Sequence, residues 1–175
     1  LHWMEPLLTR SFRNPWLRVL AGAAILIVLS LLTNGDYNGA GMDVIARALR
    51  GDVSGWAWLW KLLFTAVTIG SGFKGGEVVP TFFIGATLGC VLGSLLGIPT
   101  GFAAALGLVC VFCGAVNCPI ASVILSIELF GAGQLVYFAL ACGVAYMLSG
   151  YFGLYSSQKI LYSKLRTEFI NIHAK

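Results

Sequence analysis

Gly70-Ser71-Gly72-Phe73-Lys74-Gly75-Gly76-Glu77-Val78-Val79-Pro80, followed by Thr81-Phe82-Phe83-Ile84-Gly85, is the stretch on which the reading of this chain turns. It sets a glycine-rich, non-helical segment between two long apolar runs and puts a carboxylate where the second run begins. Pro80 suits the first turn of a helix, where its missing N–H costs nothing. Gly75 and Gly76 allow the preceding backbone to turn sharply and to approach a ligand. The pattern predicts a broken helix whose N-terminus lies inside a hydrophobic protein. Bare N–H groups and the positive end of the helix dipole at such a terminus attract an anion. In transporters, interrupted helices of this kind mark substrate sites near the bilayer midplane.

Composition points the same way. The chain is 58% hydrophobic and only 10% charged, where a soluble domain carries about a quarter charged residues. With a mean hydropathy of +0.88, a chain of this size cannot hide its apolar surface in a water-soluble globule. The expected class is an all-α integral membrane protein with broken and short, tilted helices. Its 22 glycines suit helices that pack closely in lipid. A net charge of +4 fits basic loops at a membrane surface better than a nucleic-acid partner. Cys90, Cys110, Cys113, Cys118 and Cys142 all lie in or beside apolar runs and read as small buried hydrophobes. Cys110-Val-Phe-Cys113 has CxxC spacing but lacks polar partners for a metal or redox role. No metal and no cofactor is expected. The chain opens at Leu1 with no signal-peptide pattern, which suggests a piece of a longer protein.

Taken in order, residues 1–15 read as an interfacial lead-in with Arg10, Arg13 and nearby Arg18. Trp16 to Thr33 is a first apolar run, close to the roughly 20 residues a membrane helix needs. A turn cluster at residues 34–41 precedes a short amphipathic helix over about Met42 to Leu49, carrying Arg47. Trp56 to Ile69 is the second apolar run. Its Lys61 is expected to snorkel toward headgroups, near an interfacial Trp56/Trp58/Trp60 cluster. From Pro80 to Ile98, Gly85, Gly89, Gly93 and Gly97 recur every four residues, which predicts a single face for close packing against another backbone. Further apolar helices are predicted over Phe102–Val116, from Pro119 to near Phe130, and over Gln134–Leu148. Glu128 is expected to cap or pair near a helix end. The tail from Ser156 is amphipathic, and Lys159, Lys164, Arg166 and Lys175 place it on the cytoplasmic side. His2 and His173 lie near the ends and are expected to be solvated. Unequal, broken segments argue for a transporter or channel interior.

At Gly75-Gly76-Glu77-Val78-Val79-Pro80 the sequence resembles the CLC family of chloride channels and anion/proton antiporters. That family carries a GxFxP-type motif at the N-terminus of an anion-coordinating helix, and Gly76, Val78 and Pro80 stand at its G, F and P positions. Asn117-Cys118-Pro119-Ile120 through Glu128 resembles the family's proline-started helix. Gly153-Leu154-Tyr155-Ser156 resembles the segment that places a tyrosine hydroxyl on the central anion. The matches occur in family order and cover nearly the whole chain. The resemblance implies that residues 1–175 are the second of two inverted repeats, with the first repeat, and its gating glutamate, as a missing partner. It also implies a multi-pass protein of the plasma membrane that is a homodimer when whole, with halide (fluoride or chloride), protons and the lipid bilayer as partners. Glu77 together with Phe82-Phe83-Ile84-Gly85 is most similar to the fluoride/proton antiporter branch, because chloride-selective members usually have an apolar residue at the Glu77 position. Val79 departs from that branch, which often carries a threonine there.

Glu77 is the oddity with chemical consequence. Ionised, it competes with an anion for the same N–H groups; protonated, it becomes a hydrogen-bond donor to that anion. Burial favours its neutral form and the helix N-terminus its charged form, so it can couple proton uptake to anion movement. The plainer alternative is a charged cap on its own helix. The candidate anion-binding set is Gly76, Glu77, Val78, Val79 and Tyr155, with proton coupling at Glu77. Lys74 reads as reaching an aqueous vestibule. Against fluoride/proton antiport stands a chloride channel or chloride/proton exchanger of the same family. An intramembrane enzyme lacks its parts, since neither HExxH nor GxSxG occurs. A structural fragment without transport of its own is the third class.

Overall fold

The computed structural model describes residues 14–155 and 157–174. The chain forms α1 (Pro15–Leu32), α2 (Met42–Arg50), α3 (Ala57–Gly70), α4 (Val78–Leu96), α5 (Thr100–Val116), α6 (Pro119–Phe130), a single 3-10 turn (Ala132–Gln134), α7 (Leu135–Leu148), and the strands β1 (Lys159–Tyr162) and β2 (Phe169–His173). Both predicted breaks are present, between α3 and α4 and at Asn117-Cys118 between α5 and α6. The expected lead-in at residues 1–13, with His2, lies outside the described residues.

Local chemistry sets the helix ends. Asn14 caps α1, its side chain accepting from the Trp16 N–H at 3.1 Å, and Pro15 takes the first helical position, where its fixed φ is favourable. Only Gly22 of α1 is buried, while Trp16 is 80% and Leu31 76% exposed. A helix this apolar, with its side chains left outward, requires lipid or further protein around it. Among the described residues, α1 and α4 are long and apolar enough to cross a membrane. In α2, Val44, Ile45 and Ala48 turn inward, and Arg47 reaches out to Asp36 at 2.8 Å. That pair is about half exposed and contributes little stability.

The centre of the molecule is the crossing of α4 and α5. A methyl group at Gly85 would lie 2.5 Å from the Gly107 carbonyl oxygen, and one at Gly89 would lie 2.3 Å from that of Ala103. Two backbones therefore touch without side chains between them. The spacing-four ladder supplies this face at Gly85, Gly89 and Gly93. Gly97 does something else: it ends the helix at φ +69°, with its N–H bonded to Gly93 O and open space around it. A left-handed C-cap is what glycine tolerates best.

Two expectations need correction. Lys61 does not snorkel. It is 2% exposed, and its ammonium donates to Tyr37 O at 3.1 Å and Gly39 O at 2.6 Å. The loop after α1 folds back over α3 and offers carbonyls closer than any headgroup. Glu128 is exposed and makes no salt bridge or side-chain hydrogen bond among the described residues. The tail, read as amphipathic, forms a hairpin that pairs Lys159 with His173 and Ile160 with Ile172, and its His173 is exposed as expected. Ile160, Tyr162, Phe169, Ile170 and Ile172 are β-branched or aromatic, residue types that suit a strand.

Asn117 fastens this hairpin to the helices. Its left-handed backbone, φ +58°, ends α5, and its Nδ2 donates to Phe152 O at 2.9 Å. Lys164 donates to Asn117 Oδ1 and, at 2.7 Å, to Ser149 Oγ. Nearby, the Leu154 N–H bonds to Ala115 O at 2.9 Å. Replacing Asn117 by alanine leaves the Phe152 carbonyl and the Lys164 ammonium each short of one partner, a loss of about 1–3 kcal/mol. Faster hydrogen exchange confined to residues 152–158 is the expected result. Unchanged protection there discards Asn117 as the fastening point.

Candidate functional site at the start of α4

The site begins where α3 stops. Ser71, fully buried, donates its hydroxyl back to Val67 O at 2.7 Å. Gly22 of α1 packs directly on it, since a methyl group there would sit 2.0 Å from Ser71 Oγ. The chain then reverses at Gly72, whose φ is +90°. The sharp turn is thus made at Gly72 rather than at Gly75 and Gly76. Arg18 of α1 covers the turn, its Nη2 2.9 Å from where a Gly72 side chain would begin. Arg18 Nε is buried and has no hydrogen-bond partner among the described residues.

Beyond the turn, residues 73–76 are non-helical, and Gly75 and Gly76 are exposed, with nothing within 4 Å of the space a side chain would fill. What these two glycines provide is uncovered backbone. Glu77 occupies the N-cap position of α4 with φ −88° and ψ −16°, and its side chain makes no capping hydrogen bond. It is half-buried. Pro80 is the third residue of the helix and has no N–H to lose. The Thr81 N–H makes a bond to Glu77 O at 3.3 Å. The N–H groups of Glu77, Val78 and Val79 have no acceptor among the described residues. Orphan donors of this kind, at the positive end of a helix of 19 residues, have the chemistry that suits an anion.

A cavity of about 550 Å³ opens beside the break. Gly75, Gly76 and Val79 form one wall, Lys61, Thr65 and Thr68 of α3 the other, and the loop at Tyr37–Gly39 closes one side. The threonines spend their hydroxyls on helix carbonyls, Thr65 on Lys61 O at 2.8 Å and Thr68 on Phe64 O at 2.7 Å. Burial, and secondarily the negative charge of Asp36, hold the Tyr37 phenol above its ordinary range, so it remains neutral.

Of the residues singled out from sequence, Gly76 and Val79 line this cavity, and Glu77 and Val78 lie between them in the chain. Tyr155 does not line it. Its ring is 48% exposed, next to the Leu154 that is tied to the end of α5. Lys74 is exposed. Sequence reasoning missed Lys61 as part of the site, although a lysine inside an apolar run carries its own signal: such a charge persists only where something holds it.

Residues 1–150 match the family described as voltage gated chloride channel. A chloride/fluoride channel protein of Pseudomonas syringae pv. tomato is 44% identical over 128 residues, covering 73% of this chain and 28% of the relative. The voltage-gated ClC-type chloride channel ClcB of Salmonella typhimurium is 31% identical over 147 residues, covering 77% of this chain and 35% of that one. In structure, the chain is similar to a CLC-type fluoride/proton antiporter with a TM-score of 0.83 and 38% identity, over 88% of this chain and 40% of the other. It therefore spans between about a quarter and two fifths of the length of these relatives. A family match over residues 1–150, together with a similar helical fold, places this chain in the CLC family of voltage-gated chloride channels, which are integral membrane proteins.

Proposed function

We propose that residues 1–175 act as the second repeat of a CLC subunit that exports fluoride in exchange for protons. The reading rests on one observation above the others. Glu77 stands at the N-cap of α4 with its carboxyl group unspent on its own helix, beside N–H groups that have no acceptor among the described residues. A halide at that terminus receives the amides of Glu77 and Val78, flanked by Gly76 and Val79. Glu77 meets it either as a repelling carboxylate or, once protonated, as a hydrogen-bond donor. Fluoride, small and basic for a halide, gains most from the second state. The similarity to a fluoride/proton antiporter and to a chloride/fluoride channel protein supports this choice of ion. Tyr155 donates its hydroxyl to the same anion from the opposite side in the whole subunit. That subunit, completed by a first repeat, works as a homodimer in the plasma membrane, and no chemical catalysis is involved.

The second reading is a chloride channel or chloride/proton exchanger. Val79 favours it, because an apolar side chain at the cavity wall adds no hydroxyl for fluoride, and so does the similarity to ClcB. Efflux from liposomes holding the whole subunit separates the two. Fluoride/proton antiport requires fluoride efflux that outpaces chloride and drives protons inward; chloride efflux that is faster and moves no protons selects the channel. Replacing Val79 by threonine is expected to raise fluoride affinity by about threefold to tenfold, the worth of one hydrogen bond. Titration calorimetry with sodium fluoride measures it, and no gain removes Val79 from the anion's surroundings.

A further inference from the structure

We propose that Lys61 is the fixed countercharge of the anion pathway and that the cavity it lines is a second halide position, adjoining the one at the start of α4. This inference rests on the transport reading above. Lys61 lies in the first half of α3, is 2% exposed, and shares the cavity with Gly75, Gly76 and Val79. Its ammonium is held by two carbonyl dipoles, those of Tyr37 and Gly39, and stands 5.0 Å over the Phe83 ring. No carboxylate lies within salt-bridge distance of it among the described residues. An ammonium has three donors, and two carbonyls and the Phe83 ring face supply dipoles but no formal opposite charge.

Buried charge without an opposite partner is costly in a low-dielectric interior, and folds retain it chiefly where it is paired or functional. The cavity beside it is large enough for a partly hydrated halide. The rest of the lining is largely apolar, with Leu26, Phe64, Ile69 and Pro80, and the threonine hydroxyls are spent on carbonyls. Lys61 and the uncovered backbone at Gly75 and Gly76 are therefore the groups there that can attract an anion. A mobile anion is the occupant that satisfies this charge. A halide in the cavity has a short step to the amides of α4, since Gly76 and Val79 border both places. Lys61 thus raises the local halide concentration and sets the order of travel, while Glu77 governs the proton. Phe83 fixes the lysine from the helix whose N-terminus receives the ion.

The test uses the whole transporter in detergent and in liposomes, with sodium fluoride and sodium chloride as probes. Lys61→Gln is expected to weaken halide binding by at least tenfold in calorimetry and to raise the half-saturating halide concentration of transport, with a smaller change in maximal rate. Lys61→Arg keeps the charge and is expected to recover most of the affinity. Because removal of a buried lysine can disturb folding, a second pair leaves Lys61 in place. Thr68→Asp puts a carboxylate on the cavity wall, and Thr68→Asn is its neutral counterpart of equal size. Thr68→Asp is expected to bind halide at least tenfold more weakly than Thr68→Asn, and equal binding by that pair overturns the second position. If Lys61→Gln folds and binds halide as the wild type does, the countercharge role is likewise overturned. A wild-type protein that binds and moves no halide defeats instead the transport reading on which both stand.

Discussion

Replacing Glu77 by glutamine is expected to uncouple protons from halide while leaving the proposed halide site standing. The substitution keeps volume and shape and removes the ability to take up or release H⁺. It leaves the fold intact because the Glu77 side chain makes no capping bond that glutamine would break, so a stability change below about 1 kcal/mol is expected. In liposomes holding the whole subunit, a fluoride gradient that drives protons across the wild type is expected to drive at least tenfold fewer across the variant, about 1.4 kcal/mol of lost coupling. Glutamine brings no negative charge toward the amides of Glu77 and Val78, so halide affinity is expected to be kept or raised. Coupling that survives the substitution discards Glu77 as the proton carrier and leaves it as part of the helix end.

Much of this architecture was legible in the residues because it depends on local rules. Pro119 starts α6 and Pro15 starts α1 where a proline is tolerated, and the apolar runs end where asparagine, glycine or proline stops them. The break at Gly72–Gly76 was legible for the same reason, although glycine-rich spelling could not say which glycine turns; the left-handed φ belongs to Gly72. What stayed hidden depends on partners distant in sequence. Lys61 is bound by carbonyls 22 and 24 residues away, and no window around it contains them. Gly22 and Arg18 reach the break only because α1 folds against α3. The hairpin was concealed by its basic residues, which read as an amphipathic surface segment although Ile160, Tyr162, Phe169, Ile170 and Ile172 favour a strand. Gly97 shared the period of the ladder and not its task, because a helix end and a packing face use the same residue for different reasons.

The α4–α5 crossing carries the other large expected effect, and it bears on where the candidate site sits. A side chain at Gly107 would begin 2.3 Å from Gly85 O and 2.8 Å from Gly89 Cα. Both are backbone atoms of α4, so no rotamer change can make room and the helices themselves must part. Overpacking that forces backbone apart costs about 3 kcal/mol or more, a large share of a typical net stability. Gly107→Val is therefore expected to lose most monodisperse protein on size-exclusion chromatography. Gly143→Val in α7 faces open space, and glycine and valine differ by only a few tenths of a kcal/mol in helix propensity, so it is expected to keep the wild-type profile. Any Gly107→Val that does fold is expected to have α4 displaced and to lose more halide affinity than helix content, because the crossing holds the helix that carries the proposed anion-binding amides of Glu77 and Val78. If Gly107→Val behaves like Gly143→Val in yield and binding, the bare contact between backbones is not what fixes α4, and the aim of the anion-facing terminus must be set by the α3–α4 break alone.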